Sequence, residues 1–323
     1  MQIDNFKQIP RHQDYIYRGC ASNKYHLIPS FIRNIGESPT TSDQKEVLKR
    51  NKLIKDYNQV FRDREKKLFN FIGESASSDS LAQHYGLGSI CLDWSSSLDV
   101  ALYFAFTQFI EDFHQKYMKP IMAEHDSKKL QKLIIEGRKN FNENTYRIYV
   151  LNKKVLSTIK NGFDKEPLKL DETDQQNKRM KSQKGLLTMI DIDEIDDIPI
   201  NDSQLTILKK WFENKEIDYL TEKNGQWAWK GKPFVENYDF KLSQYARETL
   251  QEQLTSKKID SIHLFPDYGG VERSTRLAEH YEYLHTFYIA YKENPADTLG
   301  GLTASKLESR HPCDNSYGEF RLF

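Results

Sequence analysis

The run "SSSLDVALYFAFTQFIEDFHQKY" at residues 95–117 restricts the fold more than any other part of the chain. From Ser97 onward Leu102, Phe106, Phe109, Ile110, Phe113 and Tyr117 recur every three or four residues, which is the stripe of a helix that buries one face. Ser96 or Ser97 stands where a hydroxyl can accept a backbone N–H of the first turn. Immediately upstream, "LAQHYGLGSICLDW" (81–94) supplies a Gly-rich turn and a short apolar run. Three serines and a tryptophan therefore stand at the mouth of the most apolar helix. A cap needs only one of them.

Other elements read less sharply. "DYIYRG" is aromatic and β-branched and ends at Gly19, the pattern of a short strand running into a turn. Residues 42–72 place Val47, Leu48, Leu53, Ile54, Tyr57, Phe61, Leu68 and Phe69 at near-helical intervals among many charges, as in one or two amphipathic helices. "YRIYVLN" and "KGLLTMIDI" look like strands, with the polar segment 160–183 between them as a loop. Residues 242–257 and 271–291 have helical patterns, and "IDSIHLFPDYGG" is an apolar stretch broken by Pro and Gly. Strands scatter among helices without regular alternation, and no Gly-rich phosphate loop is present, so the fold class expected is α+β. We expect one domain over 1–292, with charged insertions near 107–145 and 202–232, and a C-terminal tail at 293–323.

Composition narrows the function classes. Lys plus Arg and Asp plus Glu both total 47, so the overall field favours neither nucleic acid nor a membrane. Three cysteines, Cys20, Cys91 and Cys313, lack the paired spacing of a zinc or redox motif and fit a reducing cytoplasm. No apolar run reaches membrane-spanning length, and the N-terminus lacks the apolar core of a signal peptide. His280 and His285 are five apart, whereas a helical zinc pair needs four, so no metal is expected. Locally, residues 116–139 carry seven basic residues against three acids and 43–67 carry nine against five. Such patches suit solvated helix faces or RNA. "DIDEIDDIPIND" is acidic and would repel nucleic acid there or engage a basic partner such as an antitoxin or regulatory protein.

Four segments resemble one family when taken together. "YRG" at 17–19, "AQHYGLGSICLDWSSSLDVALYFA" at 82–105, "RMKSQKGLLT" at 179–188 and "LFPDYGG" at 264–270 follow the motif order of the FRG-domain family, and the resemblance spans most of 15–290. More loosely, Arg18, "WSSSLDVALYFA" and Gln183 follow the order of motifs in ADP-ribosyltransferase-fold toxins. That resemblance implies a split β-sheet core with helical insertions, and NAD as co-substrate. It implies a cofactor-binding set of Tyr17, Arg18, Gly19, Tyr85, Trp94, Ser95, Ser96 and Ser97, and a catalytic set of Arg18, His84, Asp93 and Gln183.

The residue types suit that chemistry. A planar guanidinium grips pyrophosphate or ribose oxygens, and short hydroxyls hold ribose and carboxamide. Tyr85 or Trp94 offers a stacking face for nicotinamide. His84 or Asp93 suits proton transfer. Gln183 stands where the transferase pattern usually has Glu, so a carboxylate would have to come from Asp93, Asp267 or Glu272. The function expected is an ADP-ribosyltransferase-like toxin or phage-defence effector acting on RNA or protein. The alternatives are a nucleotide- or nucleic-acid-binding module without catalysis, and a nuclease using His84 and Asp93.

Overall fold

In the computed structural model β1 spans Tyr15–Cys20, one residue beyond the glycine at which the sequence pattern stops. The structure describes residues 1–34, 45, 48–49, 51–56, 59–60, 90–163, 168–171, 178–191, 198 and 203–293. His84, Tyr85, the 293–323 tail beyond Glu293, Cys313 and most of the 42–72 pattern lie outside them. Within that pattern the described residues are helical; Ile54 is buried, while Leu48 and Leu53 are exposed.

The chain is α+β and divides into two units. The first comprises Met1–Gly19, Asn23–Ala101 and Arg147–Asp239, and the second Cys20–Ser22, Leu102–Tyr146 and Phe240–Phe323.

The first unit carries almost all of an eight-stranded sheet in the order β4-β5-β2-β1-β3-β8-β7-β6. Its strands are β1, β2 (Cys91–Ser95), β3 (Thr145–Asn152), β4 (Leu168–Asp171), β5 (Gly185–Ile190), β6 (Leu220–Lys223), β7 (Gln226–Trp229) and β8 (Lys232–Lys241). Pairing is antiparallel for β1–β2, β2–β5, β4–β5, β6–β7 and β7–β8. β2 and β5 form the longest defined register, from Cys91 opposite Met189 to Ser95 opposite Gly185. These strands are nearly continuous apolar runs, and Leu92, Trp94 and Leu187 are all below 4% exposed.

The segment 160–183 is more ordered than its polarity suggests. It holds the end of a helix at Lys153–Asn161, strand β4 and a helix at Lys178–Gln183. Likewise 202–232 contributes a helix at Gln204–Glu213 and strands β6 and β7 to the main sheet. Ser203 caps the helix, its Oγ accepting Thr206 N at 3.2 Å. Trp211 and Phe212 from that helix cluster with Phe163 and Trp229 at ring separations of 4.8–6.1 Å. Trp211 and Trp229, two of the three tryptophans that mark this charged stretch, therefore build a core.

Numbering helices in chain order gives α1 (Ser30–Asn34), α2 (Leu98–Phe113), α3 (Lys119–Ala123), α4 (Ser127–Glu143), α5 (Lys153–Asn161), α6 (Lys178–Gln183), α7 (Gln204–Glu213), α8 (Gln244–Ser256), α9 (Ser261–Leu264) and α10 (Tyr268–Glu293). The stripe read from the sequence is buried as expected: Leu102, Phe106, Phe109, Ile110, Phe113 and Tyr117 are each 6% exposed or less. A five-residue π-helical segment, His114–Met118, interrupts its end, and Pro120 then opens α3 where its missing N–H is harmless. Residues 107–145 fall within the second unit. There Phe109, Phe113, Phe141 and Tyr146 pack at 5.4–6.3 Å between ring centroids. No helix among the described residues is long and apolar enough to cross a membrane.

Candidate functional site

In the first unit three of the four family-like segments come together at one end of β2. Tyr17 stands opposite Ser95. Alternation along β1 sends Arg18 to the other face, and its Nη1 donates to the main-chain carbonyl of Asp93 at 2.7 Å. Its Nε is buried without a hydrogen-bond partner. A buried donor left unmade is costly, and Arg273 Nε in the second unit is in the same state. The Tyr17 hydroxyl donates to Pro10 O at 3.0 Å, and burial pushes its pKa up. Gly19 lies within β1, and Asp93 lies in β2 opposite Leu187.

The serine triplet divides its work. Ser95 Oγ is buried; it donates to Gln183 O at 2.7 Å and accepts Ser97 N at 3.0 Å. Ser97 immediately precedes α2, with its Oγ 3.5 Å from Val100 N and its carbonyl accepting Ala101 N at 3.2 Å. That is the capping role the helix needs. Ser96 is the exposed member; its N–H donates to Lys184 O at 3.0 Å. Asp99, at the start of α2, pairs with Arg11 at 2.7 Å.

Gln183 is 7% exposed and ends α6. Lys184 then adopts φ 48°, and the chain enters β5 at Gly185. A β-carbon at Gly185 would come 2.9 Å from Met180 Sδ, so the end of the Met180 side chain lies against the start of β5. Trp94 is 3% exposed, and its indole N–H donates to Thr188 Oγ1 at 2.8 Å. Thr188 Oγ1 donates in turn to Gln204 Oε1 at 2.7 Å, and Gln204 Nε2 reaches Thr188 O at 3.0 Å. This satisfied chain fixes the β2–β5 pair under α7. Arg18, Ser95 and Gln183 thus meet through the main chain of β2 and α6, not side chain to side chain. His84 and Tyr85 lie outside the described residues.

The fourth segment belongs to the second unit, together with Asp267 and Glu272. There "YFA" of α2 meets "LFPDYGG". Tyr103 Oη lies 2.5 Å from Ser261 Oγ, and Phe104 and Phe265 make an edge contact at 6.1 Å. Burial raises the Tyr103 pKa. A β-carbon at Gly270 would come 1.9 Å from Phe265 O, so only glycine permits this turn into α10. Arg273 and Arg276 of α10 approach Glu111 of α2 at 3.4 and 3.3 Å.

Sequence reasoning missed two pairs here. Asp260 caps α9 and holds His263 Nδ1 at 2.8 Å; the i,i+3 spacing in "DSIH" was the available signal. His280 stacks on His114 at 3.6 Å with an interplanar angle of 11°, a long-range contact that sequence spacing does not encode. Among the described residues no group of three or more His, Cys, Asp and Glu can hold a metal ion.

A cavity of about 470 Å³ in the first unit is lined by none of Arg18, Ser95–Ser97 or Gln183.

The comparison with curated proteins and the comparison with solved structures yield no match. The family model described as the FRG domain matches residues 13–114. That span contains "YRG", the serine triplet and "YFA", while the segments at 179–188 and 264–270 lie beyond it. Residues 13–114 thus carry an FRG-domain match, which supports the family resemblance read from the motifs.

Proposed function

We propose that the strand-end site around Arg18 binds NAD and transfers its ADP-ribose moiety to RNA or protein, in the manner of an ADP-ribosyltransferase-like toxin or defence effector. The observation that carries this reading is Arg18. Its guanidinium is steadied by one carbonyl, yet its buried Nε has no partner. An unspent donor on a planar cation suits a phosphate or ribose oxygen of a dinucleotide. Ser96, the exposed member of the triplet, is the one best placed to meet a ligand; its Oγ has only a long bond to Lys184 O at 3.5 Å, and Ser95 is buried against α6.

The chemistry asked of such a site is simple. The C1′–N bond of the nicotinamide riboside breaks with the electron pair leaving on nicotinamide, and a nucleophilic oxygen or nitrogen of the target bonds to C1′ and gives up its proton. Positive charge develops on the ribose, as in glycoside cleavage. Asp93, and His84 outside the described residues, are the groups assigned to that proton.

A second reading has its own support. Gln183 stands in place of the usual acid, and its main-chain carbonyl is tied to Ser95. An amide neither accepts the proton nor balances ribosyl cation charge as a carboxylate does. A module that binds the nucleotide without cleaving it follows from that substitution.

Labelled NAD offered to the full chain with RNA, DNA and protein targets separates these readings. Transfer of label by wild type and its loss in Arg18→Ala support the transferase. Saturable NAD binding without nicotinamide release supports the binding module. Neither binding nor transfer removes both.

A further inference from the structure

The cavity of about 470 Å³ in the first unit is a second place for a ligand. Its volume falls within the roughly 300–1,000 Å³ of small-molecule sites.

Its floor is built from β3 and β8. Arg147 gives Nε and Nη2 to the two carboxylate oxygens of Asp239, at 2.6 and 2.7 Å, and Nη1 to Tyr149 Oη at 3.3 Å. Tyr149 Oη in turn donates to Tyr25 O at 2.9 Å. These three bonds use three of the five guanidinium N–H groups and leave one on each terminal nitrogen. Because Asp239 balances the charge, the floor offers oriented donors without a net field for an anion.

One wall is apolar, formed by Leu27, Ile28 and Leu205. Trp227 also lines the cavity. It is half-buried, whereas Trp94, Trp211 and Trp229 are each 3–4% exposed, so its indole is the one of these four that a ligand can cover. The rim is the β6–β7 turn. Asn224 and Gly225 have φ of 55° and 75°, and a β-carbon at Gly225 would come 2.5 Å from Asn237 Nδ2. Glycine therefore lets the turn close onto β8, which brings Glu222 and Asn224 to the cavity as acceptors.

A neutral planar ligand with both acceptors and donors fits this arrangement: a face for Trp227, ring or carbonyl acceptors toward Arg147, and an amino group toward Glu222 or Asn224. We propose that this cavity holds an unpaired nucleobase, either of a free nucleoside or of a single strand. It does not depend on NAD chemistry at Arg18.

The test is calorimetric titration of the full chain with adenosine, guanosine, cytidine and uridine, and with single-stranded homo-oligonucleotides of each base. Wild type is expected to bind at least one of these saturably. Trp227→Ala should weaken that binding by about tenfold to a hundredfold, as loss of a base–aromatic stack does elsewhere. Trp227→Phe should restore most of it. Thr206→Phe, which fills the cavity from α7, should abolish it with an unchanged circular dichroism spectrum. Binding of nucleosides assigns the site to the base itself; binding of strands alone assigns it to a base presented by nucleic acid. No saturable binding by wild type, or binding that survives both Trp227→Ala and Thr206→Phe, overturns the proposal.

Discussion

Arg18 in the first unit and Arg247 in the second are both held by main-chain carbonyls, yet they do opposite work. Arg247 is 1% exposed; its Nη2 donates to Phe141 O at 2.7 Å and its Nε to Tyr146 Oη at 3.2 Å. Its guanidinium carbon lies 4.0 and 4.9 Å from the ring centroids of Phe141 and Phe109. The cation is consumed by its surroundings and serves as a strut. Arg18 is only half-buried and keeps a buried N–H unspent. Residue type alone does not separate the two; the unbonded buried Nε of Arg18 does, a state that Arg273 Nε shares.

The comparison breaks most visibly at Arg247. Truncation in Arg247→Ala strips partners from Tyr146 and Phe141 and opens a void between two phenyl rings, so a loss of about 3–5 kcal/mol is expected in denaturant unfolding. Arg18→Ala should cost only about 1 kcal/mol of stability for its single carbonyl bond, but on the order of 100-fold in NAD turnover under the proposed transferase reading. If both substitutions move stability equally, the contrast between them is wrong.

Acid sharpens the picture in the second unit. Burial, and then the charge of His114, hold His280 down at about 4, and burial also lowers the pKa of His114. Both Nδ1 atoms are buried without partners. Glu111, Arg276, Glu279, Lys119 and Tyr283 are the other charged or titratable groups facing the pair. The unfolded chain takes up protons below about 6.5 while folded His280 resists them until about 4, so stability present above that range falls as pH drops across it. A loss of roughly 2–3 kcal/mol is expected. In thermal unfolding at stepped pH, His280→Phe should flatten the curve between 6.5 and 4 relative to wild type, and an unchanged slope would assign the acid sensitivity elsewhere.

Smaller effects belong to the serines. Ser95→Ala leaves Gln183 O and Ser97 N without their shared hydroxyl and should cost about 1–3 kcal/mol. Ser97→Ala removes a long cap bond and should cost ~1 kcal/mol or less. Ser96→Ala should leave the unfolding midpoint nearly unchanged. A reversed order would show that the cap, not the tie to α6, fixes this strand end.

The sequence was legible where one element carried its own pattern. The stripe from Leu102 to Tyr117 has a single solution, a helix with one buried face, and "YIYRGC" and "GLLTMI" read as strands because both faces are apolar. β8, "KPFVENYDFK", was not seen. Its charges alternate with Phe234, Val235, Tyr238 and Phe240, which only pairing with β7 and its place beside β3 turn into a strand. β4 was lost in a polar segment for the same reason: register against β5 orders it, not local propensity. At the site, the order of motifs pointed to Arg18, Ser95 and Gln183 as neighbours. It did not reveal that their links run through carbonyls, because main-chain partners leave no trace in residue identity.

From the residues alone came the α+β class, the buried face of α2, and the set of polar groups gathered near β2. Tertiary structure alone decided which hydroxyl of the triplet is exposed, that Arg18 and Arg273 keep a buried Nε unbonded, and that Arg147, Trp227 and Gly225 line a cavity. Periodicity is a local property and can be read along the chain; the satisfaction of a hydrogen bond depends on groups tens to hundreds of residues away, and only the folded chain brings them within reach.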